Sequence, residues 1–373
     1  MTSKERLIVA LRKGKPDMVP VEIGTSEMWP VRLSGLNYIE FFYYGKRSLW
    51  KARLNCIRHF KSDGWLHGSR QGGDLPPIEE ELLLDEPEKK VVRQTQHTAK
   101  GKLAREIVYF ADSPVSILRG WVNDVPREYE LALEFLVPVT SCDYSDYRKM
   151  YQEAGEGAMV GWWVSTPMDW WSIMRGTPQN AILDFYDYPD VIRKIYDVYT
   201  EYCGEEVDYV LRNLPCDSIG LGGSTTSMSV ISPQIFRDWQ LEFVRRITAV
   251  AHKYGQAVQL HMCGRSREAL DILAETDLDA VEPLERPPTG NCDLAEVKRK
   301  FGKKFSLKGN VNSIEIMLRG GPEDVEREAL RCIEAASEGG GYILGIGDQT
   351  PYWTSEENIF ALVETARKWG RYD

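Results

Sequence analysis

His261 and Cys263 stand one residue apart in the run Gln259-Leu260-His261-Met262-Cys263-Gly264. The apolar residues before them, Ala257, Val258 and Leu260, read as a buried strand that ends at the glycine. Side chains alternate faces along a strand, so an imidazole and a thiol two apart point the same way at its end. These are two of the donors that a tetrahedral zinc site requires. A buried histidine beside an inert cysteine has the same spacing, so the reading turns on what lies at the other strand ends. Glu285 closes the next candidate strand and Asp348 the last one. With His261 and Cys263 they form a shell of mixed nitrogen, sulfur and oxygen donors that leaves room for a substrate. The alternative for both acids is a hydrogen-bonded loop cap, and Glu282, earlier in its strand, reads as a structural ion pair. Glu22, closing the first strand, and Asp348 are the candidate catalytic acids.

A second group surrounds the end of another strand: Trp162, Trp163, Trp170 and Trp171, with Met168 and Met174. Aromatics at strand or helix spacing are usually core. Four around one strand end nevertheless predict a flat-walled apolar pocket for an aromatic or planar substrate, with Trp162, Trp163, Met168 and Trp170 in contact. Ser224 and Thr225 lack a basic partner nearby, which makes them poor nucleophiles and reasonable hydrogen-bonding groups for a ligand. Asn310 joins them as a substrate-binding candidate. The cluster Gly220-x-Gly222-Gly223 is too compact for a dinucleotide fingerprint.

The elements that must position these residues are eight short apolar stretches, 18–24, 63–70, 159–166, 218–226, 257–264, 280–285, 305–312 and 341–348, each followed by helical sequence. That alternation predicts a (β/α)8 barrel over residues 1–373 as one domain, with functional side chains at the C-terminal strand ends. A doubly wound open sheet is the structural alternative. An amphipathic helix over 2–13 precedes the first strand. Residues 71–155 read as an insertion between the second and third strands, with an alternating hairpin over 91–110 around Ala99-Lys100-Gly101-Lys102.

With 373 residues, 43% of them hydrophobic, the chain can bury a large core. The net charge of −10 and the lack of any basic block argue against nucleic acid or an anionic membrane surface as partner. No stretch of about 18 apolar residues occurs, and the N-terminus has no apolar leader, so a soluble, cytoplasmic protein is expected. Seven scattered cysteines fit free thiols, not a disulfide framework.

From about 219 to 369 the chain resembles the uroporphyrinogen decarboxylase superfamily. The resemblance rests on Ile231-Ser232-Pro233, on Gly255 followed by His261-x-Cys263-Gly264, on Asp293-Leu294-Ala295-Glu296-Val297-Lys298 ahead of Lys308-Gly309-Asn310-Val311, and on Thr354 with Asn358-Ile359. It implies a (β/α)8 barrel. The decarboxylase branch carries an arginine-rich N-terminal loop for its substrate's carboxylates, where this chain has the acidic Glu22-Ile23-Gly24-Thr25-Ser26-Glu27. An acidic rim repels such a substrate. The corrinoid methyltransferase branch holds zinc through His-x-Cys and a later cysteine. His261 and Cys263 match, Asp348 falls at the later cysteine, and Glu285 resembles in spacing a glutamate of the related methionine synthases. A carboxylate in place of a thiolate makes the ion a harder Lewis acid, better suited to oxygen.

The resemblance therefore implies zinc-dependent exchange of a methyl group between a small molecule, best an aromatic methyl ether undergoing O-demethylation, and the cobalamin of a separate corrinoid protein. The alternatives are a metal-independent decarboxylase of a smaller, less anionic substrate, and a non-catalytic barrel that binds a corrinoid or tetrapyrrole.

Overall fold

The apolar stretches become eight parallel strands in the computed structural model, which describes residues 1–70 and 72–372. In chain order the strands are β1 (Val21–Glu22), β2 (Gly64–Gly68), β3 (Glu79–Asp85), β4 (Lys89–Thr98), β5 (Gly101–Phe110), β6 (Ser116–Arg119), β7 (Ala158–Ser165), β8 (Ile219–Gly222), β9 (Val258–His261), β10 (Ala280–Glu282), β11 (Ser306–Val311) and β12 (Tyr342–Ile346). The parallel sheet runs β1-β12-β11-β10-β9-β8-β7-β2, with helices in the connections. This is the (β/α)8 pattern, and its strands read apolar because both faces are covered: every residue of β12 is buried.

β1 and β2 share no ladder, and Asp63 joins them. Its N–H donates to Val21 O at 2.8 Å, and its Oδ2 accepts from Val21 N–H at 2.9 Å. The Asp63 side chain is fully buried, and Arg6 Nη1 at 2.6 Å and Arg367 Nη1 at 3.0 Å supply the opposite charge. Helix Ser3–Leu11, started by a Thr2–Glu5 capping box, places Leu7, Ala10 and Leu11 against Trp65, Met159, Ala257, Ala280 and Ile343 near the strand starts. This apolar cluster closes the end of the barrel opposite the strand C-termini. On the outside, helix Pro322–Ala336 begins with proline at its first turn and buries Val325, Ala329, Cys332, Ile333 and Ala336 at helical spacing.

The expected hairpin is present as the centre of a larger antiparallel sheet. β4 and β5 pair from Lys89↔Phe110 to Thr98↔Gly101, and β3 and β6 flank them. β3 escapes a search for alternation because it begins Glu79-Glu80-Glu81; its ladder to β4 holds it, and across that pair Arg93 Nη1 lies 2.9 Å from Glu81 Oε2. Gln71, where the insertion was expected to begin, and Asp373, the last residue, lie outside the described residues. All seven cysteines are free, and among the described residues no helix is long and apolar enough to cross a membrane.

Candidate metal centre

β9 ends at His261, and Gly264, at a φ of 84°, turns the chain away three residues later. Cys263 is left beside His261 at the mouth of the barrel. Asp348, two residues beyond β12, reaches it from three strands away. One donor atom from each of His261, Cys263 and Asp348 lies within 4.8 Å of the others, and His261 Nε2 is 3.9 Å from Asp348 Oδ1. Tetrahedral zinc with bonds of about 2.0–2.3 Å sets its ligand atoms roughly 3.5 Å apart, so a small inward movement completes three of the four corners. The donor set thus fits a zinc-type ion with a position left for a ligand. The three donors line a cavity of about 500 Å³ whose wall also includes Trp65, His67, Trp163, Ser224, Glu282 and Lys308.

Inside the barrel the site continues as a row of charges. Lys308 Nζ, on β11, pairs with Glu22 Oε2 of β1 at 2.8 Å and closely with Glu282 Oε2 of β10. The other oxygen of Glu282 lies 3.3 Å from His261 Nδ1, and the two residues are partners in the β9–β10 ladder. Burial opposes every charge here, yet the pairing prevails. Lys308 is raised above its usual range by Glu22 and Glu282, and Glu282 is held well below its range by Lys308 and His261. For His261, contacts with the Cys263 sulfur and the Glu282 carboxylate outweigh burial and raise the imidazole well above its ordinary value. His261 must therefore release a proton to take up a cation, and acid opposes metal uptake.

A family model described as "Uroporphyrinogen decarboxylase (URO-D)" matches residues 147–369, more than half of the chain. The chain belongs to the uroporphyrinogen decarboxylase family. Methylcobamide:CoM methyltransferase MtbA of Methanosarcina mazei is 25% identical over 157 residues, 41% of this chain and 42% of that protein. A uroporphyrinogen decarboxylase of Dechloromonas aromatica is 24% identical over 257 residues, 68% of this chain and 65% of that one. The chain thus spans about two fifths of the first of these relatives and less than two thirds of the second. A methyltransferase structure from Methanosarcina mazei has the same fold, with a TM-score of 0.65 at 18% identity over 99% of both chains. Relatives of both names, methyltransferase and decarboxylase, stand at similar identity, so the side chains in the mouth must decide between them.

In this family member the structure brings together His261, Cys263 and Asp348, and it places Glu22, Trp163 and Ser224 in the wall of the same cavity. Glu285 is not in the cluster. β10 stops at Glu282, and the chain turns at Leu284, whose φ is 55°; the Glu285 carboxylate then accepts from Gly264 N–H at 2.5 Å, capping the loop that carries Cys263. Trp162 faces away from the barrel interior because strand side chains alternate: its Nε1 donates to Glu206 at 3.2 Å, among Tyr144 and Tyr147. Met168 and Trp170 lie on helix Pro167–Arg175 as packing, Trp170 stacked on Tyr199 with centroids 4.8 Å apart. Thr225 gives its N–H and hydroxyl to Asp169, at 2.8 and 2.5 Å. Alternation breaks at Gly309, with a φ of 129°, and Asn310 is turned to Leu284 O and Arg331.

Trp65, His67 and Lys308 were not among the expected site residues. The signal for Lys308 was available in principle, as a lone charge inside a strand covered on both faces. For Trp65 and His67 no such signal exists, because aromatic residues suit a buried strand equally well.

Proposed function

We propose that this protein is a zinc-dependent methyltransferase, moving a methyl group between a small molecule and the cobalamin of a separate corrinoid protein. The observation that carries the reading is the convergence of His261, Cys263 and Asp348 at the barrel mouth, lining a cavity sized for a small ligand. Those three residues would hold the ion. Zinc supplies Lewis acidity toward the atom that carries the methyl group. One thiolate and one carboxylate form a harder donor set than two thiolates, which favours oxygen and an ether substrate. Trp163 and Trp65 offer flat walls for an aromatic ring, and Ser224 a hydrogen-bonding group. Glu22, expected as a catalytic acid, is tied to Lys308 and serves the floor of the cavity; Asp348, at the solvent-facing rim, is the acid positioned next to an incoming substrate. The methyl group must pass through the mouth, so the corrinoid partner docks over the strand C-termini. The name of the related methylcobamide:CoM methyltransferase supports a corrinoid partner.

The test is elemental analysis of the purified protein together with transfer from methoxybenzenes to cob(I)alamin, followed by absorbance. About one zinc per chain is expected. His261→Ala and Cys263→Ala should lose the metal and the transfer together. Undiminished transfer by a metal-free variant would reject the metal's role, and carbon dioxide release without zinc would favour the decarboxylase alternative.

A further inference from the structure

β1, β9, β10 and β11 each contribute one ionisable side chain to a chain of contacts inside the barrel: Glu22, His261, Glu282 and Lys308. β12, which separates β1 from β11, carries Gly345, the ladder partner of Glu22. A Cβ on Gly345 would come within 3.3 Å of Lys308 Cγ and 3.4 Å of its Cε. The missing side chain is the lane through which the lysine reaches Glu22. The outcome is an unbroken row, Glu22–Lys308–Glu282–His261, and of its four members only His261 belongs to the donor cluster.

A metal-binding imidazole presents one nitrogen's lone pair to the ion and donates from the other nitrogen to an acceptor that fixes the ring. His261 has both directions laid out. Nδ1 faces Glu282 Oε1 at 3.3 Å, and Nε2 faces Asp348 Oδ1 at 3.9 Å on the side of Cys263. Glu282 cannot hold the ring unless it is itself held, and its second oxygen is taken by Lys308. Lys308 in turn is anchored by Glu22 and lies over the Trp65 ring, 5.0 Å from its centroid.

We propose that Lys308 is a positioning residue of the metal centre, acting through Glu282 to keep the His261 ring with Nδ1–H on Glu282 and Nε2 toward Cys263 and Asp348. The inference rests on the metal-binding reading of that cluster. Lys308 pairs with Glu22 and Glu282 and with none of the three donors; its charge is felt at Asp348 through space, but its hold on the His261 ring runs through Glu282.

Zinc affinity measured by chelator competition, and the visible spectrum of the cobalt(II) form, test this without any turnover. Glu282→Gln is expected to weaken zinc by about 10–100-fold, and Lys308→Met by a similar factor. The Lys308→Met/Glu282→Gln double variant should bind zinc within about threefold of Glu282→Gln alone, because both changes remove one interaction. Losses that multiply would overturn the proposal, as would wild-type affinity and an unchanged cobalt spectrum in Lys308→Met. Two buried carboxylates that have lost their lysine can prevent Lys308→Met from folding, so Glu22→Gln/Lys308→Met, which also removes one of those charges, is measured alongside it. That variant should show the same zinc loss; wild-type affinity there counts against the proposal equally. A wild-type protein that takes up no metal overturns both readings. Metal uptake without methyl transfer removes the proposed activity alone and leaves the role of Lys308 standing.

Discussion

His67 is a side chain whose protonation the fold changes within the acidic range. It lies inside the barrel between Trp65 and Trp163, with its Nε2 3.0 Å from Gln259 Nε2, and burial pushes its pKa down to about 3. The unfolded chain's histidine titrates near 6.5. Between about 6.5 and 3, then, the unfolded state holds a proton that the folded state does not. Stability falls as pH drops through that window, by up to about 1.4 kcal/mol per unit. Urea titrations across pH 4–7 on the wild type and on His67→Asn should show a shallower fall in the variant, and parallel slopes would refute the account. His261, Cys263 and Asp348 were readable from sequence because each follows a recognisable apolar strand and each can bind a metal. Glu282 was readable as an ion pair, and it is one. That the same carboxylate also faces His261 could not be read, since it depends on the register between β9 and β10.

At the scale of elements, alternation along β7 decides which tryptophan meets the cavity: Trp163 does, and Trp162 packs outside. The room for Trp163 comes from its neighbour β8. A Cβ on Gly220 would sit 2.6 Å from Trp163 Cε3 and 3.0 Å from His67 Nε2, so Gly220→Ala must displace one of the two rings. Overfilling of this kind costs about 1–3 kcal/mol. Gly157→Ala, with nothing within 4 Å of the added carbon, is the control and should change stability by less than about 0.5 kcal/mol. Denaturant midpoints distinguish them, and equal effects would mean that the aromatic wall adjusts freely. The existence of the strands was legible in their apolar runs, but their ends were not. The apolar run of β10 carries on through Pro283 and Leu284 after the ladder has stopped, which is why Glu285 looked like a residue of the mouth. Likewise, polar Ser224 and Thr225 follow β8 together, but the short helical turn Ser224–Thr226 leaves only the first at the cavity.

At the scale of the molecule, the barrel is a sheet of eight strands whose two edges meet at Asp63, and that closure was invisible in the sequence because Arg6 and Arg367 lie at opposite ends of the chain. Asp63→Ala leaves the Val21 N–H without its acceptor and strips a buried partner from two arginines, although Arg6 keeps Asp17 at 2.8 Å. Breaking a buried pair by removing one partner costs about 3–5 kcal/mol, and the retained Asp17 contact places this variant at the lower end. The seam shares β1 with the charge row, Val21 serving one and Glu22 the other. β1 is also laddered to β12 through Val21↔Leu344 and Glu22↔Gly345, which holds Glu22 in place when the other edge loosens. Asp63→Ala should therefore lower the urea midpoint strongly while the folded fraction keeps zinc affinity within about threefold of wild type, the two perturbations being separate. A parallel loss of zinc affinity would show instead that β1 depends on the seam for its register, and that closure of the barrel and the geometry of the ion site are one structural unit.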